Sequence, residues 1–255
     1  MRPVVVGHRG MGLPTTNLDV GARNGLIGNT AHAISNAIRA KADWIEIDIR
    51  QSADGKLVVF HDAELDAKTN LKGAVKSKTL QELQSCNLSV DPPEPILSLQ
   101  DVFGNKQFQT EKHNWILDIK VQGIADDVIQ QLDRSAIPKN QIIVFADFEV
   151  LREYKGKGLR LGYTTLFQTH PTMLFSAADV FRRCKEIGCD LLVVPIVFVT
   201  PSFLDNANEL GMDVWSYGSS DPRDLRYCAE CGVKGIVVDT PAEAVSQFAS
   251  MYKER

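Results

Sequence analysis

A chain of 255 residues, 44% hydrophobic and 24% charged, can bury a substantial core without disulfides and has the balance of an ordinary globular protein. Its net charge of −4 argues against a non-specific nucleic-acid binder, and no apolar run is long enough to span a membrane. Five cysteines (Cys86, Cys184, Cys189, Cys228 and Cys231) fit a reducing compartment better than a disulfide framework. The N-terminus runs straight into a strand pattern without a secretory leader, so a cytoplasmic location is expected.

In chain order, the apolar run Val4–Gly7 is the first strand and ends in His8-Arg9-Gly10. A loop rich in Gly, Thr and Asn over Met11–Gly28 leads to a helix over Thr30–Lys41. Trp44–Ile49 is the second strand. Strand side chains alternate, so Glu46 and Asp48 share one face while Ile45, Ile47 and Ile49 take the other. Asp54-Gly55 is a hairpin signal. Leu57–His61 must therefore return antiparallel, which brings His61 level with Glu46 and Asp48.

Residues 62–113 hold no barrel element by pattern. They read as a small insertion over the C-terminal mouth, with a helix-like Thr79–Ser85 and a Pro-rich stretch at Asp91–Pro95. Beyond them, strands at Trp115–Lys120, Gln141–Phe145, Arg160–Thr164, Leu191–Pro195, Asp213–Tyr217 and Gly235–Asp239 alternate with helices. Those helices cover Ile124–Ser135, Phe148–Gly156, Ala177–Gly188, Pro201–Gly211, Pro222–Gly232 and Pro241–Lys253, and several close on Gly, as helix C-termini do. Strand and helix in alternation, eight times, predict an α/β fold, a (β/α)8 TIM barrel. It forms a single domain over residues 1–255 with the insertion after the second barrel strand. A doubly wound sheet fits less well, because charged residues close several strands and do not gather at one Gly-rich switch point.

The chemistry follows from those strand ends. Glu46, Asp48 and Asp118 offer oxygen ligands with no cysteine among them, which suits one hard divalent cation, Mg²⁺ or Ca²⁺. A salt-bridge network with Arg9 and Lys120 is the alternative for the same carboxylates. A histidine ordinarily titrates near neutrality, so His8 and His61 can serve as an acid/base pair. Phosphodiester hydrolysis needs a base for the attacking hydroxyl and an acid for the departing alkoxide. Arg9 and Lys120 suit the non-bridging oxygens of a phosphate. His32, His113 and His170 lie on a helix, before a strand and beside a proline, and read as bystanders. Trp215 and Tyr217 share a face near the end of their strand, where Trp215 is placed against substrate or, alternatively, in the core. Cys228-Ala229-Glu230-Cys231 lacks a second ligand pair and reads as structural.

As a set, these residues resemble the glycerophosphodiester phosphodiesterase family along nearly the whole chain. The resemblance is carried by His8-Arg9-Gly10, Asn29-Thr30, Ala42-Asp43-Trp44-Ile45-Glu46-Ile47-Asp48-Ile49, Asp54-Gly55 and Val58-Val59-Phe60-His61-Asp62. Thr79-Leu80-Gln81-Glu82-Leu83, Val214-Trp215-Ser216 and Gly232–Pro241 continue it. It implies metal-dependent hydrolysis of glycerophosphodiesters, such as glycerophosphocholine, to sn-glycerol 3-phosphate and an alcohol. His8 and His61 would be the catalytic pair, Glu46, Asp48 and Asp118 the metal ligands, and Arg9 and Lys120 the phosphate contacts. The expected partner is a small phosphodiester of lipid and glycerol metabolism, with no nucleic acid and no membrane insertion. Gly28 and Asp118 depart from the family pattern, which usually has Glu at both positions. Two other readings are a lysophospholipase D-like enzyme with an apolar groove from Leu13, Leu26 and Phe103, and a catalytically silent phosphate-binding barrel.

Overall fold

The computed structural model describes residues 2–10, 27–88, 93–164 and 177–253. Most of the loop over Met11–Gly28, with Leu13 and Leu26, and His170 lie outside them, as does part of the Pro-rich stretch. Strand β1 (Val4–Gly7) is followed by helix α1 (Ala31–Arg39), whose first turn is capped by the Thr30 hydroxyl accepting from Ala33 N. Strand β2 (Trp44–Gln51) turns back into β3 (Leu57–Val59), and the hairpin register pairs Ile49 with Val59 and Gln51 with Leu57. Gly55 sits at φ 74° in that turn, a conformation that favours glycine. The short helix α2 (Leu80–Gln84), strand β4 (Leu97–Ser98) and helix α3 (Leu99–Gly104) come next.

From there β5 (Asn114–Ile119), α4 (Ala125–Arg134), β6 (Ile142–Ala146), α5 (Phe148–Tyr154), β7 (Arg160–Thr164) and α6 (Ala177–Ile187) alternate. They continue with β8 (Leu191–Pro195), α7 (Pro201–Glu209), β9 (Asp213–Tyr217), α8 (Pro222–Cys231), β10 (Gly235–Val238) and α9 (Pro241–Lys253). The parallel order β1-β2-β5-β6-β7-β8-β9-β10 closes when β10 pairs with β1, giving a (β/α)8 barrel. The expected architecture and hairpin are both present.

Three apolar clusters hold the molecule. The largest lies between strands and helices and includes Ile45, Ile47, Ile49, Trp115 and Leu117. A second fills the barrel interior with Val6, Ile116, Ile143, Phe145, Leu191, Val193, Trp215 and Val237. Two glycines make room for its largest rings. A Cβ on Gly235 would lie 2.5 Å from Trp215, and one on Gly162 would lie 2.7 Å from Phe145. The third cluster packs Val58, Phe60, Leu65, Val75, Leu83, Cys86, Leu88 and Ile96 into a small core of the segment that follows β2. Helix α3 belongs instead to the outer layer, where Leu99 and Val102 join the main core.

Candidate active site

The turn after β1 is built to meet β2. Arg9 and Gly10 take φ of 50° and 79°, and a Cβ on Gly10 would collide with the backbone of Ala33 at 2.6 Å. This tight path lets Arg9 N donate to Glu46 Oε2 at 2.6 Å and Gly10 N donate to the Glu46 carbonyl at 3.1 Å. Asn29, also at positive φ, is fixed by the capped start of α1. Its amide donates to Asp48 Oδ2 at 2.7 Å, while Asp48 N donates to Asn29 Oδ1 at 3.1 Å. Asp118 lies beside Asp48 because β2 and β5 pair those two positions directly.

Glu46, Asp48 and Asp118 thus converge, each offering a carboxylate oxygen within 4.8 Å of the others. Among the described residues, no other His, Cys, Asp or Glu side chains gather in this way. Lys120 Nζ lies 2.6 Å from Asp118 Oδ2 and 3.0 Å from Asp48 Oδ1. Arg9 Nε lies 3.0 Å from Asp48 Oδ2, angled so that no hydrogen bond forms. Burial opposes ionisation of Asp48, but Lys120 and Arg9, helped by His61 and the Asn29 amide, outweigh it and hold its carboxyl low. Burial likewise opposes the Lys120 charge, and Asp118 and Asp48 more than restore it.

Glu46 is the unbalanced member. Burial first, then the charges of Asp48 and Asp118, push its carboxyl well above the usual range. Its Oε1 is buried with no hydrogen-bond partner. Three carboxylates, one of them with an orphaned oxygen, form a hard donor set that suits a divalent ion, and two cations lie beside it. The salt-bridge network weighed as the alternative is present, and the carboxylates that it joins also converge closely enough to be candidate ligands.

Each histidine carries a carboxylate on Nδ1. His8, at the end of β1, has Nδ1 2.7 Å from Asp239 Oδ1, just past the end of β10. His61 has Nδ1 2.6 Å from Asp62 Oδ1. An ionised carboxylate only accepts, so both rings donate from Nδ1, and among the described residues Nε2 is left open for proton transfer. The hairpin places His61 as expected. Phe60 N donates to the Asp48 carbonyl at 3.0 Å, and Arg50 Nε donates to the His61 carbonyl at 2.8 Å. Burial lowers the His61 pKa, and the Asp62 bond only partly offsets it. A narrow cleft beside His61 is lined by Arg9, Gly28, Asn29, Phe60 and Lys68.

Not every expected residue joins this group. Trp215 is 3% exposed and packs edge-on against Phe145 and Trp44, each with ring centroids 6.0 Å away. Trp44 opens β2, so the Trp215 ring lies toward the N-terminal end of the barrel, beneath the carboxylates. Phe103 packs edge-on against Trp115 in the outer layer, not in a groove at the mouth. Cys228 and Cys231 are free thiols on α8. Asp239, Asp62, Lys68 and the Asn29–Asp48 pair carry no role in the sequence reading. The only available signal for Asp62 and Asp239 was the motif stretch containing each.

Known proteins show the same arrangement of chain. The profile of the glycerophosphoryl diester phosphodiesterase family matches residues 8–243. The chain belongs to that family. Its relatives are phosphoric diester hydrolases by name, and it is an enzyme of that class. A glycerophosphodiester phosphodiesterase of Caldanaerobacter subterraneus subsp. tengcongensis is 25% identical over 255 residues, covering 96% of this chain and 98% of its own. The uncharacterised YqiK of Bacillus subtilis is 40% identical over 232 residues, covering 85% and 90%. Among solved structures, the Thermotoga maritima glycerophosphodiester phosphodiesterase superposes with a TM-score of 0.76 at 24% identity, covering 97% and 99%. An Oleispira antarctica phosphodiesterase, solved with the product sn-glycerol-3-phosphate, gives 0.77 at 19% identity over 97% of each chain. These two likenesses establish the barrel.

Proposed function

We propose that this phosphodiesterase hydrolyses glycerophosphodiesters, glycerophosphocholine among them, to sn-glycerol 3-phosphate and an alcohol. One divalent cation, Mg²⁺ or Ca²⁺, is held by Glu46, Asp48 and Asp118. The observation that carries this reading is the buried, unpartnered Glu46 Oε1 within a three-carboxylate cluster, with carboxylate-anchored His8 after β1 and His61 after β3, the strands that pair on either side of β2. When bound, the ion supplies Lewis-acid polarisation of a phosphoryl oxygen.

Arg9 and Lys120 hold the phosphate and take up charge that develops on its non-bridging oxygens. His61 is kept neutral by burial, so its free Nε2 removes the proton from the attacking hydroxyl. His8 in its imidazolium form, with Nδ1–H held by Asp239, gives its Nε2 proton to the leaving alkoxide oxygen. Solvent returns a proton to His8 and takes one from His61 before the next turnover. Trp215, packed against Trp44 and Phe145, supports the barrel interior on which the carboxylates stand. Five free thiols support a reducing, cytoplasmic setting, and no helix among the described residues is long and apolar enough to cross a membrane. Small phosphodiesters of lipid and glycerol metabolism are the substrates that fit this chemistry.

Release of sn-glycerol 3-phosphate from glycerophosphocholine by His8→Ala and His61→Ala tests the assignment. Each variant should fold and lose about 10²–10⁴-fold in kcat. Full activity in either would remove that histidine from the mechanism.

A further inference from the structure

Lys68 is a buried cation that no step above uses. Its side chain is 7% exposed, and its Nζ lies 2.8 Å from Asp62 Oδ2. The other oxygen of Asp62 takes the His61 Nδ1 proton at 2.6 Å. One carboxylate is therefore shared between a histidine on the cleft and a lysine behind it.

The surrounding chain fixes Lys68 in place. Lys68 N and Thr69 N both donate to the Leu65 carbonyl, at 3.2 and 3.1 Å, and the Thr69 hydroxyl donates there as well at 3.1 Å. Leu65 is fully buried in the small core of the segment after β2. Glu64 and Ala74 bridge the base of the turn. Lys68 is thus carried by a packed unit outside the barrel strands, and it reaches the same cleft as Arg9 and His61.

The charges facing this pair come from every side. Asp48 on β2 and Lys120 after β5 act on His61 together with Arg9 after β1. Arg50 on β2 holds the His61 carbonyl. Lys68 itself feels Asp62, Arg9 and Asp48. Without Lys68, Asp62 would keep one partner, His61, and would be free to rotate its carboxylate. A lysine on the far oxygen prevents both changes.

We propose that Lys68 is a positioning residue, which clamps Asp62 so that His61 keeps its proton on Nδ1 and its Nε2 toward the cleft. This rests on the phosphodiesterase reading for its effect on turnover, though not for its effect on the ring. Lys68 forms its ion pair with Asp62 and with no carboxylate of the cluster, so its direct contact leads to the rate through His61.

The test combines kinetics with the state of the His61 ring in Lys68→Met and Lys68→Arg, both measured in Mg²⁺. Histidine ¹⁵N and ¹³C shifts followed against pH report the tautomer and midpoint of His61 without needing turnover. In Lys68→Met, the His61 midpoint should rise by about one pH unit, because Asp62 then stabilises the imidazolium without an opposing cation. Turnover number on glycerophosphocholine should fall about tenfold with little change in KM, and its acid limb should move up by the same amount. Lys68→Arg should restore both.

A His61 midpoint and tautomer unchanged in Lys68→Met would overturn the proposal. So would a loss expressed in KM alone. A shifted ring in a protein with no phosphodiesterase activity would support the clamp and sink the functional reading instead. If Lys68→Met does not fold, as judged by its melting curve, Lys68→Gln is measured in its place against the same criteria.

Discussion

Asn29 and Asp48 grip one another twice, the amide donating to the carboxylate at 2.7 Å and the Asp48 backbone N–H returning to the amide oxygen at 3.1 Å. A side-chain carboxamide, with its acceptor oxygen and donor nitrogen, supplies both halves, and both residues are buried. Asn29 reaches Asp48 because Thr30 starts α1 immediately after it and its own φ of 65° turns the side chain inward. Asn29→Ala should cost about 1.5–3 kcal/mol of stability, the range for hydrogen bonds to a charged group. It should also weaken divalent-ion binding about 10- to 100-fold. Denaturant unfolding and ion titration by calorimetry read the two effects separately. Unchanged ion affinity would show that Asp48 needs no partner to hold its orientation.

The pH dependence follows from His61. Burial sets its folded pKa below the ordinary value of about 6.5, so the ring is neutral where an exposed histidine is half charged. The acid limb of kcat/KM should accordingly fall below pH 6.5. The same shift affects folding. The unfolded chain binds this proton more readily, so the stability that neutral His61 contributes is complete above about pH 6.5. It is lost as pH falls through the folded pKa. His61→Ala should abolish that part of the stability slope below about pH 6.5. An unaltered slope would place its origin in another group.

Asp239 should matter through His8 alone. Asp239→Ala removes the acceptor 2.7 Å from Nδ1, freeing the ring to turn and to change tautomer. A drop of about 10- to 100-fold in kcat with KM little changed is expected. The double variant with His8→Ala should be no worse than His8→Ala by itself, which a double-mutant cycle reads directly. Additive losses would give Asp239 an independent role.

The barrel interior offers a separate test. Gly235→Ala would place a methyl 2.5 Å from the Trp215 ring, which is already packed against Trp44 and Phe145. Overpacking there should cost about 1–3 kcal/mol in denaturant unfolding. Trp215→Ala should cost about 3–5 kcal/mol, as for other buried aromatics. If Trp215 instead touched substrate, its truncation would raise KM with little loss of stability.

Much of this was legible before any coordinates. Period-two alternation put Glu46 and Asp48 on one face and three isoleucines on the other, and the barrel keeps both sets where the pattern placed them. Asp54-Gly55 was enough to return His61 to Asp48, because a turn that short permits only one strand direction. Periodicity gives the face of a side chain and not its depth. Trp215 shares the inward face with Tyr217, yet its ring turns toward Trp44 at the opposite end of the barrel. Helix α3 was hidden because it is six residues long and follows directly on β4, leaving too few turns for a helical period to show. The contact between His8 and Asp239 spans 231 positions, and nothing local announces it. Lys68 was unreadable for another reason: in a polar loop, a lysine looks solvated until the packing of Leu65 buries it.

The cation is the centre of the proposed chemistry, and chelation tests it most directly. Purified protein would be assayed for sn-glycerol 3-phosphate released from glycerophosphocholine in EDTA, then with Mg²⁺ or Ca²⁺ restored, beside Glu46→Gln. Turnover should vanish on chelation and return with the ion, while Glu46→Gln, which removes the orphaned carboxylate, should stay inactive at ion concentrations that saturate the parent protein. Release undiminished by EDTA, together with full activity in Glu46→Gln, would contradict a metal held by these carboxylates.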